Sequence, residues 1–169
     1  MRFTCAIAIA AALAAAACKN QNGNDEPSAP RSSNSASTSA AVSNAHAQDF
    51  VWGPAPAVFP PGAQMAVLQG DPSTANEFTV RLKLPNGYRI PPHTHPTIEN
   101  VTVLSGTFLA AMGRTFVDAD LKPLGPDAFV SIPAESAHYA MARGETVVQV
   151  HAIGPFALTY VNPADAMAR

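Results

Sequence analysis

Beyond residue 18 this 169-residue chain has no cysteine; the two it contains are Cys5 and Cys18. That excludes a disulfide framework and any thiolate metal site in the rest of the chain, so a metal bound there must use His, Asp or Glu. Basic runs are missing as well. With 10 Lys+Arg against 12 Asp+Glu the net charge is -2, and nothing offers the clustered positive footprint that a nucleic-acid partner requires. No apolar stretch repeats at helical spacing, which argues against a helical bundle. The 47% hydrophobic share is inflated by alanine at both ends, so a core has to come from the Val, Leu, Ile and Phe found mostly after Phe50. A chain of this length makes one domain.

What is present begins with Arg2 and an apolar run from Phe3 to Ala17 that stops at Cys18-Lys19-Asn20. The run is shorter than the ~20 residues that span a bilayer, so it reads as a secretory signal over 1–18. Ala15-Ala16-Ala17-Cys18 resembles the lipobox of bacterial lipoproteins, which implies acylation of Cys18 as the first mature residue. Ala15 stands where that pattern usually has leucine, and cleavage at an Ala-x-Ala site is the competing reading. Residues 19–48 are Asn, Ser, Ala, Gly, Pro and Thr with almost nothing large and apolar, the composition of a disordered tether. Residues 49–169 form the expected folded domain. The chain is thus expected to be exported, periplasmic or anchored to the membrane by lipid alone.

Sixteen prolines and ten glycines call for many turns. Pro54, Pro56, Pro60 and Pro61 bar a helix in the approach, leaving an extended segment with Trp52 and Phe59 pressed onto the domain. Phe78, Val80, Leu82 and Leu84 alternate with Thr79, Arg81 and Lys83, a half-buried strand. Further strands are expected over 63–69, 98–104, 107–112, 128–132, 137–142, 146–153 and 156–161. Ser105-Gly106 would link the second and third as a hairpin, Arg143-Gly144-Glu145 would turn, and 122–126 would be a loop. Short strands at close spacing point to an all-β, antiparallel sandwich or barrel.

Between Gly87 and Gly106 stand His93, His95 and Glu99. On period-two parity they share a face with Val101 and Val103, an apolar interior where two imidazoles and a carboxylate are costly unless a divalent cation satisfies them together. The pattern Gly-x5-His-x-His-x3-Glu-x6-Gly, at Gly87, His93, His95, Glu99 and Gly106, resembles the first motif of the cupin superfamily. Pro133 and His138 match part of its second motif. Asp127, Glu135 and Ala142 depart from it, and those positions shape turns in the family.

The resemblance implies a double-stranded β-helix (jelly-roll or cupin barrel) with a divalent metal held by His93, His95, Glu99 and His138. Three imidazoles and one carboxylate leave coordination positions open, which suits Fe, Mn, Ni, Co or Zn and is compatible with oxygenase, oxalate-degrading or isomerase chemistry. The expected function is an exported metal-dependent small-molecule enzyme of dioxygenase or related oxidoreductase type. The alternative is a metal-dependent binding or sensing module without turnover. Exposed barrel edges would allow a homodimer. Gln149 and His151 either line the cavity or face solvent. Tyr139 is expected to point away from the metal, Met112 and Met141 to fill or line the barrel, and Tyr88 and Arg89 to lie on the approach to the ligands.

Overall fold

The structure, a computed structural model, describes residues 46–166, so the signal segment, Cys18 and most of the tether lie outside the described residues. Nine strands follow one another: β1 (Gly53–Pro54), β2 (Gln64–Gln69), β3 (Glu77–Leu84), β4 (Arg89–Thr94), β5 (Glu99–Met112), β6 (Lys122–Leu124), β7 (Phe129–Ile132), β8 (His138–Ile153) and β9 (Thr159–Tyr160). All their pairings are antiparallel.

Two of these strands belong to both layers. The first part of β5 and the last part of β8 pair with each other, Glu99 opposite Ala152 and Val103 opposite Val148, and extend outward through β7 on one side and β3 and β2 on the other. Their remaining halves pair again, Phe108 opposite Ala142 and Met112 opposite His138, flanked by β6 and by β4 with β9. The result is a curled double layer, the double-stranded β-helix that the motif resemblance implied.

The expected turns, loop and last strand are corrected here. Ser105-Gly106 and Arg143-Gly144-Glu145 do not end strands; β5 and β8 run through them and bend. Register shifts on either side of Ser105 mark a bulge, and Gly106 (φ +76°) and Gly144 (φ +74°) take the left-handed backbone that such a corner needs. At Gly106 a Cβ would lie 2.3 Å from the Glu145 carbonyl oxygen, so the two bends are pressed against each other. Residues 122–124, expected as a loop, form the short strand β6 on the edge of β5, where the missing N–H of Pro123 is tolerated. The last strand contracts to Thr159–Tyr160.

Phe78, Val80, Leu82 and Leu84 are all buried, as their alternation requires, and meet Val101, Val103, Val148 and Val150 in one core. The approach segment lies against this barrel. Arg81 stacks its guanidinium 4.4 Å from the Phe50 ring and Lys83 sets its ammonium 4.5 Å from the Trp52 ring, on the outer face. Farther on, the Tyr160 hydroxyl donates to the Val58 carbonyl at 2.8 Å and the Tyr88 hydroxyl donates to the Pro60 carbonyl. These two bonds strap down Phe59, which enters the barrel interior and is only 5% exposed. Burial, with Tyr160 beside it, pushes the Tyr88 phenol above its usual range, so it stays protonated and able to donate.

Candidate metal centre

His93 reaches the interior by a detour in β4. Ile90 pairs with Ala140 and His93 with His138, so three steps on β4 match two on β8. Without the extra residue, alternation from buried Ile90 would turn His93 outward; the bulge at Pro91-Pro92, two residues with no N–H to donate, restores it to the inside. His138 opens β8 directly across from it. Glu99 opens β5 in the facing layer, opposite Ile132, and His95 sits in the short link between β4 and β5. The facing layer therefore supplies Glu99, while His138 is a cross-strand neighbour of His93.

All four side chains are buried, between 3% and 8% exposed, in the apolar interior that parity indicated for His93, His95 and Glu99. One ring nitrogen from each of His93, His95 and His138, together a group that could hold a metal ion, lies within 4.8 Å of the other two. Glu99 Oε2 stands 3.3 Å from His138 Nε2 and 3.6 Å from His95 Nε2.

Each ring is held from behind by a backbone carbonyl: Nδ1 of His93 donates to Pro91 O at 2.7 Å, His95 to Ala157 O at 2.8 Å, and His138 to Ser136 O at 2.9 Å. A carbonyl only accepts, so Nδ1 carries the proton in each ring and Nε2 of the neutral ring is left as a lone pair aimed inward. Burial, with His138 and His95 close by, holds the His93 imidazole well below its usual range. Burial also lowers His95, against the opposing pull of Glu99 and the Ala157 carbonyl. Glu99 Oε2 is thus the polar atom that the inward Nε2 atoms of His95 and His138 meet, and His95 Nε2 is buried without any hydrogen-bond partner. An orphaned acceptor of this kind is expensive, and a divalent cation is the species that would satisfy it. The residues present fit a metal ion.

Around the centre the barrel is nearly full. Phe59, Leu82, Leu84, Phe108 and Val150 leave about 20 Å³ beside the four polar side chains, room for roughly one water. Phe156 stacks on His95 with ring centroids 5.1 Å apart and planes 11° from parallel, which locks that imidazole.

Residues outside this cluster are now placed. Gln149 and His151 are on the outer face, Gln149 accepting from Arg81 and His151 meeting Thr79 Oγ1 at 3.0 Å. Tyr139 points away from the centre, packs on Phe116 and donates to the Val117 carbonyl. Arg89 is engaged elsewhere, bonded to Asp118 at 2.7 Å and lying over Phe116. Met141 belongs to a satellite cluster on the outer face, while Met112 is at the barrel rim and 56% exposed. The three anchoring carbonyls and the Phe156 stack escaped the sequence reading, because backbone acceptors carry no residue signature.

No protein-family model matches the chain, and comparison with curated proteins gives no match. Solved structures do resemble it. The polyketide cyclase RemF from Streptomyces resistomycificus superposes with a TM-score of 0.55 at 19% identity, over 72% of this chain and 87% of that one. An RmlC-like cupin from Shewanella frigidimarina gives 0.50 at 13% identity, over 64% and 87%, and a cupin 2 conserved barrel domain protein from Rhodopseudomonas palustris gives 0.50 at 18%, over 64% and 74%. At these identities the likeness is one of architecture: the described residues form a barrel of the cupin fold.

Proposed function

We propose that this protein is an exported, metal-dependent enzyme acting on a small molecule, of dioxygenase or related oxidoreductase type, with His93, His95, Glu99 and His138 as the metal ligands. The observation that carries the metal is the convergence of three Nδ1-anchored imidazoles on a buried carboxylate, with His95 Nε2 unpartnered. Bound there, an ion of Fe, Mn, Ni, Co or Zn would supply Lewis acidity and, for the redox-active members, electron transfer to or from a small substrate. The chain's own part is to orient the imidazoles through their Nδ1 anchors, to supply one carboxyl group through Glu99, and to keep bulk water out with the apolar wall around them.

The test is metal analysis of the purified protein produced with Fe, Mn, Ni and Zn available, beside His93→Ala and Glu99→Ala. About one ion per chain is expected in the parent, with affinity falling at least tenfold in either variant. A parent free of stoichiometric metal sinks the assignment. Oxygen uptake against diketones, flavonols and dicarboxylates then separates turnover from binding; ligand retention with no uptake across the panel would assign a binding or sensing module instead. The export reading is supported by the apolar segment ending at Cys18. Cys18→Ser is expected to release the protein from membranes, and unchanged fractionation would remove lipidation from the proposal.

A further inference from the structure

Beside the filled interior lies a second, open chamber of about 170 Å³. Register identifies its walls. Phe108 and Ala110 face inward with the core, and their partners across β6 are Leu124 and Lys122; Val101 and Glu99 face inward, and their partners across β7 are Val130 and Ile132. Met112 continues the inward row of β5 and pairs with His138, a residue that borders both this chamber and the metal centre. The walls are thus Ala110, Met112, Leu124, Val130 and Ile132, with a metal-ligand histidine at one end and a single cationic side chain, Lys122, at the other.

The geometry points to this chamber as the substrate subsite, built for a small apolar monoanion whose charged group lies at Lys122 and whose apolar body extends to the His138 end. The inference rests on the metal-centre reading, since the chamber matters for catalysis only if His138 holds an ion. Size sets the first limit. A volume of 170 Å³ is close to that of a cavity that takes one benzene ring and is below the ~300 Å³ at which drug-sized ligands begin to fit. Span sets the second. Lys122 stands two strand spacings, ~10 Å, across from β8 and one pleat repeat, ~7 Å, along from the His138 row, a distance that one ring or a short chain with a terminal charge would bridge together with the lysine arm. Charge sets the third. Apart from the ligand His138, no other lining side chain is ionisable, and among the described residues Lys122 enters no ion pair, so its ammonium is available to an anion.

Benzoate, benzamide and 2-naphthoate, titrated into the zinc-loaded protein and followed by backbone amide NMR, test all three limits. Benzoate is expected to shift amides of β5 near Ala110, of β6 and of β7, and to bind about fivefold more tightly than benzamide, the advantage an exposed ion pair supplies. Lys122→Gln, an exposed position that folds normally, should bring that ratio to about one. Ala110→Trp should abolish the benzoate shifts, and 2-naphthoate should give none. Absence of chamber shifts, equal affinity for benzoate and benzamide, or a ratio that survives Lys122→Gln overturns the inference. Zinc content measured on the same samples judges the underlying reading separately: full zinc with a silent chamber fails this inference alone, and missing zinc fails the metal centre.

Discussion

A neutral imidazole has one proton to place, and in His93, His95 and His138 a backbone carbonyl 2.7 to 2.9 Å from Nδ1 decides where it goes. Two of these rings, His93 and His95, are reluctant to accept a second proton. Because the folded values of His93 and His95 lie below the unfolded value of ~6.5, the unfolded chain binds more protons than the folded one once pH drops under ~6.5. Stability of the metal-free protein is therefore full above that point and falls as pH decreases, by up to about 1.4 kcal/mol per pH unit for each histidine until its folded value is reached. Urea unfolding at pH 8, 6 and 5 checks this, and a midpoint that does not move down between pH 8 and 5 contradicts it. Proton competition would act the same way on an ion held as proposed. At this scale the sequence was informative: parity and burial cost pointed to His93, His95 and Glu99 inside an apolar barrel, and the resemblance added His138. Lys122 was not legible, because Pro123 beside it argues for a loop and only the register of β6 sets it opposite Ala110 at the mouth of the chamber.

Among the elements, two of the three departures from the second motif explain themselves in the backbone. Asp127 and Glu135, at positions expected to be glycine, keep a left-handed conformation, with φ of +68° and +59°. The turns therefore retain their shape at a cost, which is lower for aspartate than for glutamate. The Glu135 turn also matters to the site, since its N–H donates to the His95 carbonyl at 2.8 Å. Glu135→Gly is expected to stabilise the protein by about 0.5 to 1 kcal/mol with metal content unchanged, measured by thermal or urea unfolding. Gly106→Ala is the opposite case: a strained φ plus a Cβ driven against Glu145 O and Thr146 Oγ1 should cost about 2 kcal/mol or more. An alanine variant as stable as the parent would show that the corner of β5 can relax. The turn signals at Ser105-Gly106 and Arg143-Glu145 were read as chain reversals because a glycine at positive φ serves a bulge as well as a hairpin, and composition alone does not separate the two.

Across the whole molecule, closure of the barrel depends on a segment far from the site in sequence. Phe59 fills interior space next to the centre and is kept there by the hydroxyls of Tyr88 and Tyr160. Phe59→Ala is expected to cost about 3 to 5 kcal/mol and to open the small interior cavity to water, raising amide hydrogen exchange near Leu82 and Leu84. Unchanged exchange there would mean that neighbouring side chains collapse into the gap. The all-β architecture was legible from strand spacing and alternation, whereas the pairing of β5 with β8 along two layers was not, because that contact joins residues distant in sequence and leaves no local pattern.

The stack of Phe156 on His95 has a magnetic consequence. A parallel aromatic face 5.1 Å from the imidazole shields the carbon-bound protons of that ring, so their resonances should lie upfield of those from solvent-exposed His46 and His151. The protein thus carries an intrinsic spectroscopic reporter at the centre of its own site, able to register ligand binding or ring displacement without any label.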